Sequence, residues 1–123
     1  MQRNDSKQDL GRKGERLVVD YLVERGYRIR ALNYRQRFGE IDIIAQKDTV
    51  VAFVEVKLRL NRYFNLSEVV TPAKQQKIIK TARWYLACCP DISENTMVCR
   101  FDVACVEQEN GVFVVSYYEN AFV

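Results

Sequence analysis

The chain has 123 residues, of which 48% are hydrophobic and 28% charged, and it carries 19 Lys and Arg against 16 Asp and Glu. This size and composition predict one globular domain over residues 1–123, with a frayed polar tail at residues 1–8. Histidine is absent, which excludes Ser-His-Asp and Cys-His catalysis and histidine-ligated zinc or haem. Any chemistry must therefore use carboxylates, lysines, thiols, hydroxyls or a carboxylate-bound metal.

The charge is unevenly distributed along the chain. Residues 57–83 carry seven basic side chains against Glu68 alone, whereas residues 84–123 carry six acidic side chains against Arg100. A basic middle segment favours a polyanionic partner, although a solvated basic face has the same composition.

The sequence lacks the features of membrane and secreted proteins. Its longest apolar runs, Val50–Val54 and Trp84–Cys89, are far shorter than the roughly 20 residues of a membrane span. The N-terminal residues lack the apolar stretch of a signal peptide. We therefore expect a cytoplasmic protein with reduced, buried or half-buried cysteines whose spacing matches no zinc or redox motif. They are Cys88, Cys89, Cys99 and Cys105.

The first half of the chain predicts a helix followed by three strands. Apolar residues at helical spacing predict a first helix over Asp9–Arg25, and Gly26 is placed to terminate it. Partial alternation predicts a half-exposed strand over Tyr27–Arg35. Two further strands, Glu40–Gln46 and Val50–Lys57, are separated by few enough residues to form a hairpin.

The second half predicts one more helix and two strands. Thr71 is a good N-cap and Pro72 suits the first helical position, so a second helix begins there and ends before Pro90. Strands over Met97–Glu107 and Val112–Tyr118 flank a turn containing Asn110 and Gly111. The order α-β-β-β-α-β-β predicts an α/β fold with a mixed sheet and helices packed on it.

Two acidic residues interrupt the apolar strands of the hairpin. If Asp48 and Thr49 form a two-residue turn, Lys47 faces Val50, which puts Asp42 opposite Glu55 and Glu40 opposite Lys57. Two facing carboxylates repel each other, and a divalent cation between them removes the repulsion.

Lys57 lies two residues beyond Glu55 on the same face of the strand, where it can orient or activate a water or stabilise charge on a phosphate. The alternative is structural: Glu55 and Lys57 form an exposed polar stripe, and Asp42 pairs with Lys57 or a nearby arginine.

Asp42 on one strand and Glu55-Val56-Lys57 on the next resemble the signature of the PD-(D/E)XK nuclease superfamily. Over about residues 9–122 the chain resembles the YraN-like family of small bacterial proteins, which is similar to archaeal Holliday-junction resolvases. The matching segments are Gly11–Glu15, Gly26–Tyr27, Asn33–Arg35, Gly39–Ala45, Phe53–Arg59 and Arg100–Val103. The resemblance implies a restriction-endonuclease-like core, α-β-β-β-α-β with an added strand, in which helices flank a mixed central sheet.

The resemblance also implies roles for individual residues. Asp42 and Glu55 match the metal-binding acids of the superfamily, and Lys57 matches its catalytic lysine. Glu15 matches the first-helix glutamate of resolvase-like members, although a first-turn glutamate is also favoured by the helix dipole. The superfamily's proline before the aspartate is replaced by Ile41. The implied cofactor is Mg²⁺, with Mn²⁺ able to substitute and no small-molecule cofactor.

The basic segment fits a DNA backbone track. Lys74 lies in the first turn of the second helix, where a cation opposes the helix dipole unless a phosphate binds there. A solvated helix face is the alternative for Lys77 and Lys80. The residues predicted to contact nucleic acid are Arg59, Arg62, Lys74, Gln75 and Lys77.

Together the residues and the resemblance predict a Mg²⁺-dependent endonuclease that cuts DNA phosphodiesters. The resemblance further implies branched DNA as the substrate and a homodimer that makes two symmetric cuts. Two alternatives keep the fold without the chemistry: a non-catalytic nucleic-acid-binding module, and an interaction subunit whose acidic tail meets a basic partner. Asp102, within the resembling segment Arg100–Val103, is predicted to be structural.

Overall fold

The structure is a computed structural model that describes residues 7–59, 70–92 and 96–122. Its elements in chain order are α1 (Lys7–Glu24), β1 (Arg28–Gln36), β2 (Gly39–Lys47), β3 (Val50–Arg59), α2 (Pro72–Ala87), β4 (Val98–Glu109) and β5 (Val112–Phe122). The predicted order α-β-β-β-α-β-β is confirmed. Residues 1–6 of the predicted tail lie outside the described residues, whereas residues 7 and 8 belong to α1, so this helix begins two residues earlier than predicted.

The five strands form one mixed sheet in the order β1-β2-β3-β4-β5. All neighbouring strands are antiparallel except β3 and β4, which are parallel. Two parallel strands need a long crossover connection, and α2 lies in the segment that joins them. The sheet therefore consists of an antiparallel half, β1-β2-β3, and a β4–β5 hairpin. The two parts are joined by the parallel pairing of β3 with β4.

The two helices pack on opposite faces of the sheet. Val18 and Leu22 of α1 join one buried cluster, whose sheet members are Ile43, Ala45, Ala52, Val54, Ala104 and Val106. Ile78, Ala82 and Tyr85 of α2 join the other, whose sheet members include Ile41, Ile44, Val51, Phe53, Val103 and Cys105. Along β3, Ala52 and Val54 lie in the α1 cluster whereas Val51 and Phe53 lie in the α2 cluster, so successive side chains point to opposite faces of the sheet.

Sequence signals at the helix ends are confirmed. The N–H of Tyr27 donates to the carbonyl of Leu22 at 3.0 Å, and the N–H of Gly26 donates to that of Val23 at 3.0 Å. This is the Schellman arrangement, and Gly26 adopts the φ of +90° that it requires. At the start of α2, the Thr71 side chain accepts the N–H of Lys74 and Pro72 is the first helical residue.

Asp102 holds together the irregular end of the β4–β5 hairpin. Its carboxylate is fully buried, pairs with the Arg100 guanidinium at 2.9 Å, and accepts the Tyr117 hydroxyl at 2.6 Å and the Asn120 N–H at 2.9 Å. These bonds agree with the predicted structural role. They also extend β5 beyond its predicted end at Tyr118, because the carboxylate binds Asn120 where the strand ladder shifts register.

The cysteines depart from the sequence expectation. All four are thiols, but Cys88 and Cys99 are exposed, Cys89 is half-buried and Cys105 is buried. Cys88 lies at the C-terminal end of α2 and Cys99 lies near the start of β4, so both are outside the two packed clusters. Of the helices in the described part of the chain, none is long and apolar enough to cross a membrane.

Candidate active site

The candidate site lies where β2 and β3 separate. Their ladder runs from Lys47 opposite Val50 to Ile43 opposite Val54, so the predicted register and two-residue turn are confirmed. The predicted ladder pairs of Asp42 with Glu55 and of Glu40 with Lys57 are wrong, because the ladder ends before them. β2 continues beside β1, and β3 continues beside β4.

The Asp42 side chain takes the place of backbone pairing where β3 separates from β2. The N–H of Val56, which the ladder no longer uses, donates to Asp42 Oδ2 at 2.8 Å. Glu40 forms its ladder pair with Arg35 of β1 instead, and their side chains form an ion pair at 3.2 Å. We call the point where β2 and β3 diverge, after Ile43 and Val54, the fork. At the fork, the Asp42 carboxylate of β2 binds the backbone of β3 just past its last residue paired with β2.

The surroundings of Asp42 oppose its negative charge. Burial raises the pKa of Asp42, and the carboxylate of Glu55 raises it further, whereas the hydrogen bond from Val56 lowers it. Glu15 and Glu40 add smaller increases, and the resulting pKa is about 7. Three acidic side chains therefore act on a fourth, which is the electrostatic situation that a bound cation relieves.

Glu55 is buried and is held by two lysines. It is 6% exposed, and its carboxylate lies 2.7 Å from Lys74 Nζ and 3.4 Å from Lys57 Nζ. Burial lowers the pKa of Lys57, the adjacent Lys74 amine lowers it further, and Glu55 opposes both effects. The alternative of an exposed polar stripe is wrong for Glu55, and the ion pair of Lys57 is formed with Glu55.

Helix α2 delivers Lys74 to this site through its N-terminal turn. Burial lowers the pKa of Lys74, but its bonds to Glu55 and Lys57 leave that pKa raised overall. The unfavourable position of Lys74 near the helix N-terminus is therefore compensated within the protein by Glu55. Gln75 donates to the carbonyl of Val70 at 3.0 Å, which fixes the entry into α2, and Lys77 is exposed at the rim.

Glu15 approaches the fork from α1, on the other face of the sheet. Asn33 Nδ2 donates to Glu15 Oε2 at 3.2 Å. Gly14 is buried, and a Cβ at that position would meet the side chain of Val106 at 3.8 Å and that of Val56 at 4.0 Å. The small residue lets α1 lie against the sheet, which places Glu15 near enough to raise the pKa of Asp42.

Asp42 borders two grooves. One, of about 330 Å³, is lined by Glu55, Lys57, Lys74 and Lys77. The other, of about 440 Å³, holds Glu15 and Glu40 together with polar and basic side chains. The fork is thus open on both sides, with acids at its centre and cations along its walls.

The donor set suits a hard divalent cation. Asp42 and Glu55 offer carboxylate oxygens, the ligands that Mg²⁺ prefers, and Mg²⁺ commonly uses one or two carboxylates with water and phosphate oxygens. Among the described residues, no three acidic or cysteine side chains are already gathered as a metal site. Glu55 and Glu15 both act electrostatically on Asp42, and binding of a metal by these three acids stays a prediction.

Some predicted residues cannot be placed, and others emerge only from the structure. Arg62 and the side chain of Arg59 lie outside the described residues. Glu40, Asn33, Arg35 and Arg12, which line the second groove with Glu15 and Asp42, were not predicted. Asn33 has a φ of +50°, and an asparagine inside a strand pattern was the available signal for an unusual backbone position.

Comparisons with known proteins agree with the resemblance. Residues 14–106 match the model described as "Uncharacterised protein family UPF0102". A UPF0102 protein of Chlorobium phaeobacteroides is 40% identical over 120 residues, which cover 92% of each chain. One of Caldicellulosiruptor bescii is 41% identical over 116 residues, covering 92% of this chain and 96% of its own. One of Vibrio parahaemolyticus is 43% identical over 102 residues, covering 82% of this chain and 83% of its own.

Proposed function

We propose that this chain, which belongs to the uncharacterised protein family UPF0102, the YraN-like family, is a divalent-metal-dependent nuclease that hydrolyses phosphodiester bonds in DNA. The observation that supports this most is the environment of Asp42. Burial and the carboxylate of Glu55 raise its pKa to about 7, and a fold selected for stability alone gains nothing from that arrangement. A cation held by both acids turns this repulsion into binding energy.

In the proposed reaction, Asp42 and Glu55 hold Mg²⁺ or Mn²⁺, with Glu15 as a further ligand. The bound ion would lower the pKa of the attacking water and neutralise charge on the scissile phosphate. Lys57, beside Glu55 at 3.4 Å, orients that water. Burial and the adjacent Lys74 amine lower the pKa of Lys57, and Glu55 opposes that change.

The same site offers cations to the DNA backbone. Lys74 and Lys77 line the groove that contains Glu55. When such lysines neutralise DNA phosphates, they release the counterions condensed on the DNA, which favours binding. Lys74 is held by Glu55 at 2.7 Å, so a metal on Glu55 makes this lysine available to a phosphate. The family resemblance suggests branched DNA as the substrate and a homodimer that provides two such sites.

The test is cleavage of labelled junction, flap, duplex and single-stranded DNA in Mg²⁺, Mn²⁺ or EDTA. We expect cleavage that requires metal and that Glu55→Gln abolishes. Asp48→Asn is the matched control, because it removes an exposed carboxylate from the turn at the other end of the same hairpin. Absence of cleavage on all four substrates in both metals would contradict the proposal.

One observation favours a second candidate, a nucleic-acid-binding module without catalysis. Lys74 already neutralises Glu55 at 2.7 Å, so part of the acid pair is compensated without a metal. Such a module would bind DNA with a strong salt dependence, cut nothing, and have a melting temperature indifferent to Mg²⁺. Thermal melts with and without Mg²⁺ separate the candidates, since a ligand that binds only the folded state raises the melting temperature.

A further inference from the structure

A pair of aromatic rings, one exposed and one half-buried, lies outside the candidate active site. Trp84, the single tryptophan of the chain, is 50% exposed on α2. The ring of Phe38, from the turn between β1 and β2, lies 6.0 Å from it at an interplanar angle of 70°. A half-exposed tryptophan supported by a second ring offers a face to a flat ligand.

The turn that carries Phe38 is held tightly against α2. A Cβ at Gly39 would lie 2.5 Å from Thr81 Oγ1 and 3.0 Å from the carbonyl oxygen of Lys77. Only glycine permits this approach, so the position of the turn on the helix is fixed by backbone contact. The turn that carries Phe38 is therefore fixed against the helix that carries Trp84, so the relative position of the two rings is also fixed.

The charge around this pair is positive. Helix α2 has four basic residues, spaced by three, and no acidic ones; they are Lys74, Lys77, Lys80 and Arg83. Lys80 Nζ lies 5.1 Å from the centroid of the Phe38 ring, and both Arg37 and Arg83 are exposed. Aromatic faces flanked by cations are how proteins bind unpaired nucleic-acid bases, because the rings stack on bases and the cations contact phosphates.

The aromatic pair is continuous with the acid site. Gly39 and Lys77 line the groove that contains Glu55, and the next residues of the turn and helix lead to Phe38 and Trp84. Ten residues separate Lys74 from Trp84, which is about 15 Å along a helix. A strand lying on α2 would therefore reach from the acids to the rings within a few nucleotides.

We propose that Trp84 and Phe38 form a stacking platform for unpaired bases that flank the phosphodiester held at Asp42 and Glu55. The platform rests on the proposed function and narrows its substrate to DNA with a single-stranded segment next to the cut. Stacking accepts every base, so it confers preference for strand structure without preference for sequence.

The first test uses the tryptophan as its own probe. Trp84 fluorescence is followed in EDTA while a 12-nucleotide oligothymidylate or a blunt duplex of equal length is added. We expect saturable quenching by the single strand and little by the duplex, because base pairs inside a duplex have both faces covered and only its two end pairs expose one. Quenching by neither, or equally by both, would overturn the platform.

Variants then measure how much the platform contributes. Trp84→Leu is expected to weaken single-strand binding about 5- to 100-fold, and Trp84→Phe to restore most of it, with duplex binding unchanged. Thermal melts establish that both variants fold. If Trp84→Leu instead turns an oligomer into a monomer in gel filtration while the strand still binds, the rings are a contact between copies and the proposal is wrong.

The chain provides a matched control for the basic rim. Lys80→Ala removes a lysine over Phe38, and Lys13→Ala removes a lysine 4.9 Å from the centroid of Phe113 on the α1 side. Only Lys80→Ala is expected to weaken single-strand binding, and equal effects would contradict a specific platform. Because binding is measured in EDTA, failure of the platform is distinct from failure of the nuclease, which shows as absent cleavage in metal.

Discussion

Asp42 and Asp102 perform the same local task in opposite surroundings. Each lies where a strand pairing is interrupted, and each carboxylate accepts a backbone N–H that the ladder leaves over, from Val56 and Asn120 respectively. Asp102 is compensated by Arg100 and the Tyr117 hydroxyl. Asp42 instead has three carboxylates raising its pKa.

The difference distinguishes a structural carboxylate from the one that we propose to bind a metal ion. A buried charge that is fully paired and hydrogen-bonded stabilises the arrangement around it. Asp42 is half-buried, and its acidic neighbours outweigh the hydrogen bond from Val56. Part of its charge is therefore left to be compensated by a proton or, as proposed, by a metal ion. Substitutions at the two acids and at the lysines around Glu55 can break this contrast.

Replacing Asp102, the structural acid, is expected to cause the largest loss of folding stability. Asp102→Asn takes the nearest counter-charge from the half-buried Arg100 guanidinium and leaves Glu119 at 3.8 Å. We expect the free energy of unfolding to fall by about 3 kcal/mol, the lower end of the range for breaking a buried ion pair. Urea unfolding at neutral pH in EDTA measures the loss. The control is Asp42→Asn under the same conditions, which we expect to be no less stable than the parent. Equal destabilisation by both substitutions would remove the contrast.

Replacing the lysine of the acid site is expected to act on rate and leave binding intact. If the proposed reaction takes place beside Lys57, Lys57→Ala removes one electrostatic group from it, which typically lowers the rate of the chemical step about 10²–10³-fold. Single-turnover cleavage measures that rate, and calorimetry checks that Mg²⁺ affinity is kept. Lys47→Ala, exposed at the other end of the hairpin, is the control. A Lys57→Ala rate equal to the parent's would exclude the assigned role.

Removing the internal partner of Glu55 is expected to strengthen metal binding. Lys74 and a cation compete for the same carboxylate, and a hydrogen bond between charged groups contributes about 1.5–3 kcal/mol. Lys74→Met therefore increases Mg²⁺ affinity about tenfold in calorimetric titration. Lys80→Met on the same helix, which leaves Glu55 untouched, is expected to have no effect. Weaker Mg²⁺ binding by Lys74→Met would show that the lysine assists the metal.

The raised pKa of Asp42 can also be tested through the pH dependence of the free energy of unfolding, which is expected to change gradually. The folded metal-free protein holds a proton on Asp42 up to about pH 7, whereas the unfolded chain releases it near pH 4. Between these values the folded state binds more protons, so stability falls as pH rises, by at most about 1.4 kcal/mol per pH unit. Relative to Asp42→Asn, the parent's free energy of unfolding in EDTA is expected to decline over this window and level off above it.

A flat difference between the two proteins across that window would contradict the raised pKa. A variant that melts well below the parent in EDTA would instead identify Asp42 as a structural ion-pair partner, because removing its charge would leave a cation poorly compensated.

Local sequence signals were sufficient for much of the fold. Gly26 terminates α1, and Thr71 and Pro72 begin α2. Each signal acts through hydrogen bonds to residues only a few positions away in the chain. The turn at Asp48 and Thr49 determined the register of β2 against β3, because a two-residue loop leaves one pairing consistent with the alternation of apolar residues. These features depend on neighbours that are close in the chain.

The site depended on contacts between distant residues and was predicted only in part. Glu55 faces Val103 in a parallel pairing, and no local pattern reveals that β3 leaves β2 at that point. Lys74 meets Glu55 only because α2 crosses the sheet there. The end of β5 was missed for the same reason, since Asn120 resembles a loop residue until Asp102 binds its N–H.

The hydrogen bond from Val56 to Asp42 gives the protein an internal reporter. This amide proton points at Oδ2 of the carboxylate whose pKa is raised to about 7. In an ¹H–¹⁵N spectrum, the Val56 resonance should shift with the protonation of Asp42 and shift again on addition of Mg²⁺. A single backbone position thus allows occupancy of the acid site to be followed in solution without a substrate or a cleavage event.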